Sequence, residues 1–403
     1  MKKSLVALAA LAATTAFAQS SVTLYGNLDQ TLYHATNDGK SVNYSNSNGG
    51  TTSLWGITGT EDLGGGIKAT FDLKSELTLA TGQIGSGSTA VNTAAADTAA
   101  TTGTIAGALS TSTNDNRVSG AFNRGAWVGL NTNMGNVKLG RQNDALWEQA
   151  GRFNNTGINS FGWNNLTAAA TGFSSSASSF NGTTLTGSTM GAVSSTNYNP
   201  SGSGAALPFY AALSYETPAF NGFKAKVMSS PKGSYNQSAG DWKRSAMSLT
   251  YDNGPIAAAY GQSYINGSDG GTAAKVTLVA GSYTVGALKF NVGQQKTTFS
   301  GVFAATGHDL TVTGFGLTYT QGKWEYNAGY TTLKDDEDSA YKTTQTGLTA
   351  RYNFSKRTSV YGGYGAGKNE GASNKQGIVY AGDALAAGNT TNNAILVGIK
   401  HAF

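Results

Sequence analysis

The chain has 403 residues, with 27 basic and 22 acidic side chains, 55 glycines, 5 prolines and no cysteine. A fold stapled by disulfides is therefore excluded. Mean hydropathy is −0.25, and beyond the N-terminus no run approaches the roughly 20 apolar residues of a membrane helix. Once Lys2 and Lys3 are set aside with a leader, net charge is about +3, too balanced for a nucleic-acid binder.

In chain order, MKKSLVALAALAATTAFAQS comes first: two lysines, a short apolar run, and Ala16-Phe17-Ala18 ahead of Gln19. This is the pattern of a secretory signal peptide with an A-x-A cleavage site, and its apolar run is too short for a membrane anchor. Residues 1–18 are read as the signal peptide and 19–403 as one exported domain, since no linker-like stretch divides the remainder.

From residue 21 onward, segments of about ten residues alternate apolar and polar. In GIKATFDLKSEL, Ile67, Ala69, Phe71 and Leu73 oppose Lys68, Thr70, Asp72 and Lys74; LTARYNF (348–354) and WEYNAGY (324–330) follow the same rule. Period two is the signature of a strand with one apolar face. Sixteen such segments are predicted, at 21–33, 52–59, 67–79, 119–130, 136–142, 207–216, 222–230, 242–251, 255–264, 273–284, 287–297, 307–320, 322–333, 342–353, 358–367 and 392–403. Short connections (60–66, 131–135, 217–221, 252–254 and Gln321) read as hairpin turns. Between them lie polar stretches at 34–51, 80–118, 143–206, 231–241, 265–272, 298–306, 334–341 and 368–391. The chain closes on NNAILVGIKHAF, with Ile395, Val397, Ile399 and Phe403 on one face.

Loops sorted by length do not suit a soluble sandwich, and neither do charges on nearly every inner face. A membrane barrel explains both. Lipid cannot hydrogen-bond to backbone, so the sheet must close on itself, and lipid-facing residues then alternate with lumen-facing ones. An even strand number places both termini on the periplasmic side and pairs the first strand with the last. The expected fold is all-β: a 16-stranded antiparallel transmembrane barrel with short periplasmic turns and long extracellular loops.

Five stretches are similar to the general diffusion porins of Gram-negative outer membranes, especially the beta-proteobacterial branch. They are SVTLYGNLDQ (21–30), GTEDLGGGIKATFDL (59–73), RGAWVGLNTNMGNVKLGRQND (124–144), PAFNGF (218–223) and VGIKHAF (397–403). The resemblance implies a homotrimer in the cell outer membrane, among its lipids and lipopolysaccharide, passing small hydrophilic solutes and ions. It also implies a third loop folded into the lumen as a constriction, with basic wall residues facing acids on that loop. Carried over by motif, Arg141 matches a wall arginine, and Asp144 and Glu148 match the acidic start of the constriction loop. Alternation would put Arg141 on the face of Val137 and Leu139, so a lumen position requires a break at Gly140. Leu54 stands where the family often has an arginine. Between residues 149 and 206 there is no acid and one basic residue, Arg152.

Alternation itself nominates lumen charges: Lys68, Lys74, Lys224, Lys226, Arg244, Lys275, Lys289 and Arg351 against Asp29, Asp72, Glu76, Glu216 and Glu325. The candidate constriction is Arg141, Lys74, Lys226, Arg244, Asp144 and Glu148, with a mild anion preference expected. No catalytic, cofactor or metal site is expected. His34, His308 and His401 are scattered, with no zinc or triad spacing. GGYGAGKN (362–369) has Asn369 where a phosphate-binding loop needs Ser or Thr. The acidic run 335–338 reads as a solvated loop face, with a divalent bridge to lipid phosphate as its alternative. The functional alternative is a barrel serving mainly as a surface adhesin through its long polar loops.

Overall fold

A computed structural model describes residues 21–37, 40–80, 82–84, 121–163, 166–167, 209–230, 243–266, 272–300, 309–337, 342–370 and 391–403. The signal-peptide reading and most of loops 80–118 and 143–206 lie outside these residues. Eighteen strand segments and a short helix follow in order. They are β1 (Ser21–Asn37), β2 (Lys40–Ser47), β3 (Leu54–Gly64), β4 (Ile67–Thr78), β5 (Gln83–Ile84), β6 (Gly125–Thr132) and β7 (Gly135–Gln142), then α1 (Ala145–Arg152). After it come β8 (Phe209–Glu216), β9 (Phe223–Ser230), β10 (Lys243–Asn253), β11 (Ile256–Asn266), β12 (Thr272–Val285) and β13 (Leu288–Phe299). The last are β14 (Leu310–Gln321), β15 (Trp324–Asp335), β16 (Lys342–Asn353), β17 (Thr358–Glu370) and β18 (Thr391–Ala402).

Each segment pairs antiparallel with its neighbour, and β18 returns to β1 in a ladder from Asn27↔Ala402 to Asn37↔Asn392. The sheet closes. Two of the eighteen segments are not separate staves: β5 is a two-residue extension on β4, and β2 and β3 share one stave. The barrel therefore has sixteen staves, as the periodicity predicts. Three of the periplasmic turns begin with Gly254, Gly286 and Gly322, at φ of +55°, +57° and +59°. Glycine at the first central position suits a two-residue hairpin whose twist matches the strands.

The expected loop at 34–51 needs correction. β1 runs on to Asn37 and folds back as β2, whose ladder with β1 ends at Gln30↔Ser47. β3 then takes up β1 again at Asn27↔Leu54. Residues 48–53 thus face only Leu28 and Asp29 and bulge inward, tied by Ser53 Oγ accepting from Asp29 N at 2.9 Å and by Gly50 N donating to Asp29 Oδ1 at 3.1 Å.

The faces divide as a membrane barrel requires. On β18, Ile395, Val397 and Ile399 are exposed outward while Ala394 and Leu396 are buried inward. Phe403 pairs with Gly26 through two backbone hydrogen bonds of 3.1 Å, and its ring covers that glycine on the outer face. β12 reverses the simple reading. Its apolar Val276, Leu278 and Ala280 face inward and are buried, which places Lys275 outward, with its ammonium 5.7 Å from the Tyr264 ring. Lys275 is thereby removed from the lumen charges.

Candidate functional site

The inward face of β12 is apolar because something covers it. The chain leaves β7 at Gln142, whose side chain is fixed by donating to Ala212 O (3.0 Å) and accepting from Ser214 Oγ (2.6 Å). Asp144 then caps α1, its Oδ1 accepting from Leu146 N at 2.8 Å, the favoured role of Asp ahead of a first turn. The helix lies on the inner walls of β9–β12. Leu146, Ala150, Phe153, Trp163 and Leu166 form a buried cluster with Ala259, Val276, Leu278, Leu310, Val312 and Leu333 from the wall. Each fully buried large side chain contributes about 1.5–3 kcal/mol. The third loop is held as a core element inside the barrel.

Beyond α1 the loop crosses the wall over a row of glycines. Gly316, Gly329 and Gly347 are cross-strand neighbours on β14, β15 and β16. Asn155 sits on the first two and Phe161 on the third, while Trp163 covers Gly293 and Gly314. Hydrogen bonds fasten the crossing: Asn155 Nδ2 to Phe315 O (2.9 Å), Thr349 Oγ1 to Thr156 O (2.7 Å) and Gly162 N to Gln345 Oε1 (2.8 Å). At the far side, Asn159 N and Ser160 N both donate to Gly49 O in the inward bulge, at 3.0 and 3.2 Å. The described part of the loop therefore reaches from β9 to β1 across the barrel interior.

Four of the candidate constriction charges meet at its start. Lys226 Nζ contacts both oxygens of Glu148, at 2.8 and 2.9 Å. Arg244 lies 3.6 Å from Asp144, which also accepts from Ser263 Oγ at 2.6 Å. Burial pushes the Asp144 carboxyl up from its ordinary value, against the opposing pull of Arg244 and Ser263. Lys74 pairs with Asp72 at 3.4 Å, and Tyr25 donates to the same carboxylate at 2.5 Å. Wall and loop charges thus stand in direct contact rather than across an open gap.

Arg141 sits at a break in the strand. Gly140 has φ +130°, and the β7–β8 register shifts between Gly140 and Gln142. Arg141 is only partly exposed, with Nε and Nη2 shielded, while Leu139 on the outer face is 55% exposed. The reading of the residues missed Lys138. Val137 and Leu139 face outward, so Lys138 between them faces the lumen, where its ammonium rests 4.3 Å from the centre of the Trp127 ring. Also missed was Arg124, paired with buried Glu76.

The remaining motifs find structural places. His34 bonds Asn43 and His401 bonds Thr358, and His308 lies outside the described residues. GGYGAGKN lies within β17, extended, where no loop and helix could cradle a phosphate. In the acidic run, Asp336 pairs with Lys296 at 2.9 Å and Asp335 accepts from the Glu337 backbone.

A family model described as Gram-negative porin matches residues 4–372. Outer membrane porin protein 32 of Delftia acidovorans is 31% identical, with the whole of both chains aligned. An outer membrane porin protein of Bordetella pertussis is 24% identical, again over both whole chains. Among solved structures, the anion-selective porin from Comamonas acidovorans superposes with a TM-score of 0.66 at 24% identity, covering 96% of this chain and 100% of that one. The trimer form of OmpT from Vibrio cholerae reaches 0.57 at 15% identity, covering 95% and 99%. These superpositions establish a shared barrel fold, and the adhesin alternative is supported by none of these relatives. A closed wall with an apolar exterior and a charged interior lets polar solutes cross lipid unaided, and the chain belongs to the Gram-negative porin family as an outer-membrane channel for passive diffusion.

Proposed function

We propose that the channel passes small hydrophilic solutes and ions with a modest preference for anions, through a constriction lined by Arg141, Lys74, Lys226, Arg244, Asp144 and Glu148. One observation carries the preference: six of the seven lumen acids named above are taken up by cations of their own. Asp72 is paired with Lys74, Glu76 with Arg124, Asp144 with Arg244, Glu148 with Lys226, Glu216 with Lys224 and Glu325 with Arg351. The seventh, Asp29, is fully buried and held by hydrogen bonds from Tyr361 Oη and Gly50 N, so the wall charge left open to the pore is positive. Charge in a narrow lumen acts on passing ions, while charge on wide vestibules is screened over a Debye length of ~8 Å in physiological salt. The structural relative from Comamonas is itself described as anion-selective. Under a potassium chloride gradient across a planar bilayer, the reversal potential should take the chloride sign; the potassium sign would refute the preference.

We further infer a homotrimer, in contact with outer-membrane lipids and lipopolysaccharide, that acts on its solutes by no catalysis. Among the described residues, every exposed tyrosine and tryptophan comes from β8–β17, including Tyr215, Tyr260, Tyr283, Trp324 and Tyr364. The sector of β18, β1 and β3–β7 instead exposes Val22, Leu24, Val128, Leu139, Val397 and Ile399. Tyr and Trp anchor a barrel at the lipid headgroups, so a sector with none fully exposed, its Trp55 half-buried on β3, suits burial against another subunit. Export through the signal peptide should leave Gln19 as the first residue of outer-membrane material, and N-terminal sequencing that reads Met1 would refute it.

A further inference from the structure

We propose that Lys138, seated on the ring of Trp127, is the residue that sets the ion preference of this channel; the proposal rests on the anion-preferring reading above. Lys138 projects from the inner face of β7. Trp127 on β6 is paired with Gly140, diagonal to Lys138 and on the same face of the sheet. The result is the 4.3 Å contact between Nζ and the ring centre.

Lys138 differs from its neighbours on the lumen wall. Lys74, Lys224, Lys226, Arg244 and Arg351 each have a carboxylate within 3.6 Å. Among the described residues Lys138 has no carboxylate at ion-pairing distance. Glu148 and Glu216 are close enough to interact with it electrostatically, as are Lys74 and Lys226, but each of those acids is already committed to another lysine. Lys68, Lys289 and Lys400 also lack an ion pair, but Lys68 and Lys289 sit beside the short turns at the starts of β4 and β13, at the wide end of the pore, and Lys400 stands opposite Asp29 in the β1–β18 ladder.

The indole face attracts a cation through its quadrupole yet carries no net charge. It therefore fixes the ammonium in place without neutralising it. An ion pair presents a dipole to a passing ion, and its field falls off faster than that of a single charge. Lys138 presents a whole positive charge. By Coulomb's law with water-like screening at about one Debye length, one such charge changes the ratio of anion to cation permeability by about two-fold.

Reversal potentials of purified protein in planar bilayers test this with four channels: wild type, Lys138→Gln, Lys138→Arg, and the paired substitution Lys224→Gln with Glu216→Gln, a neutral lumen pair outside the constriction. Lys138→Gln should lower the chloride-to-potassium permeability ratio by about two-fold. Lys138→Arg keeps the charge and should keep the wild-type ratio, and the paired substitution, which removes a neutral pair, should stay near it as well. A Lys138→Gln ratio equal to wild type overturns the proposal, as does a larger shift in the paired variant. Should wild type prefer potassium, the anion reading fails, and a further two-fold move towards potassium in Lys138→Gln still supports the assignment to Lys138. If Lys138→Gln does not fold, Lys138→Met replaces it with the same expected shift and the same refuting result.

Discussion

Glu76 is a carboxylate with 1% of its surface exposed, on the inner face of β4. It persists because both oxygens are used: one accepts from Asn48 Nδ2 at 2.8 Å, and the other pairs with Arg124. The contact also joins three distant pieces of chain, since Asn48 belongs to the inward bulge and Arg124 precedes β6. Truncating one member of a buried pair leaves the other desolvated and uncompensated, which costs about 3 kcal/mol or more. Glu76→Ala should therefore lower the urea midpoint of folded protein in detergent. The double variant Glu76→Met with Arg124→Met should recover much of that loss. Equal midpoints for wild type and Glu76→Ala would show that water in the lumen already solvates the pair. Alternation marks Glu76 as inward-facing, and by the same rule it could have found Lys138 between Val137 and Leu139. Which partner each charge takes is not legible that way, because Glu76 and Arg124 are separated by 48 positions.

At the scale of elements, the third loop explains the inward apolar face that periodicity alone misassigns on β12. Leu310 and Val312 on β14, like Val276 and Leu278 on β12, are apolar on the lumen side because the loop covers them. Its seat is made of backbone: a Cβ at Gly347 would lie 2.6 Å from the Phe161 ring and 2.8 Å from Thr156. Gly347→Val should push the loop away from the wall at a cost of about 1–3 kcal/mol. The barrel ladders stay intact, so the variant should still insert and should show a lower single-channel conductance. Gly362→Val is the control, because a Cβ there meets nothing closer than 3.4 Å. Unchanged conductance in Gly347→Val would mean that the loop yields without entering the pore.

For the whole molecule, closure is the source of tenacity. All sixteen staves have two hydrogen-bonded neighbours over much of their length, and lipid offers the backbone no competing partners. A trimer whose smooth aliphatic sector is buried between subunits should survive mild detergent. Unheated samples are expected to migrate as oligomers in gels and boiled ones as monomers. A single monomeric species in mild detergent, with the barrel still folded, would remove the case for that sector as an interface.

The sequence by itself determined the sixteen staves, their alternating faces outside β12, and the sorting of short from long connections. Those follow from a local rule: a strand between lipid and water must change polarity at every residue, and its ends must turn. The inward fold of residues 48–53, the course of residues 143–163 and the pairing of lumen charges were decided only by the tertiary structure. Their energies come from contacts such as Ser160 with Gly49, Phe161 with Gly347 and Lys226 with Glu148, between residues 78 to 186 positions apart. No local pattern encodes such a contact, because neither partner's environment exists until the barrel has closed around both.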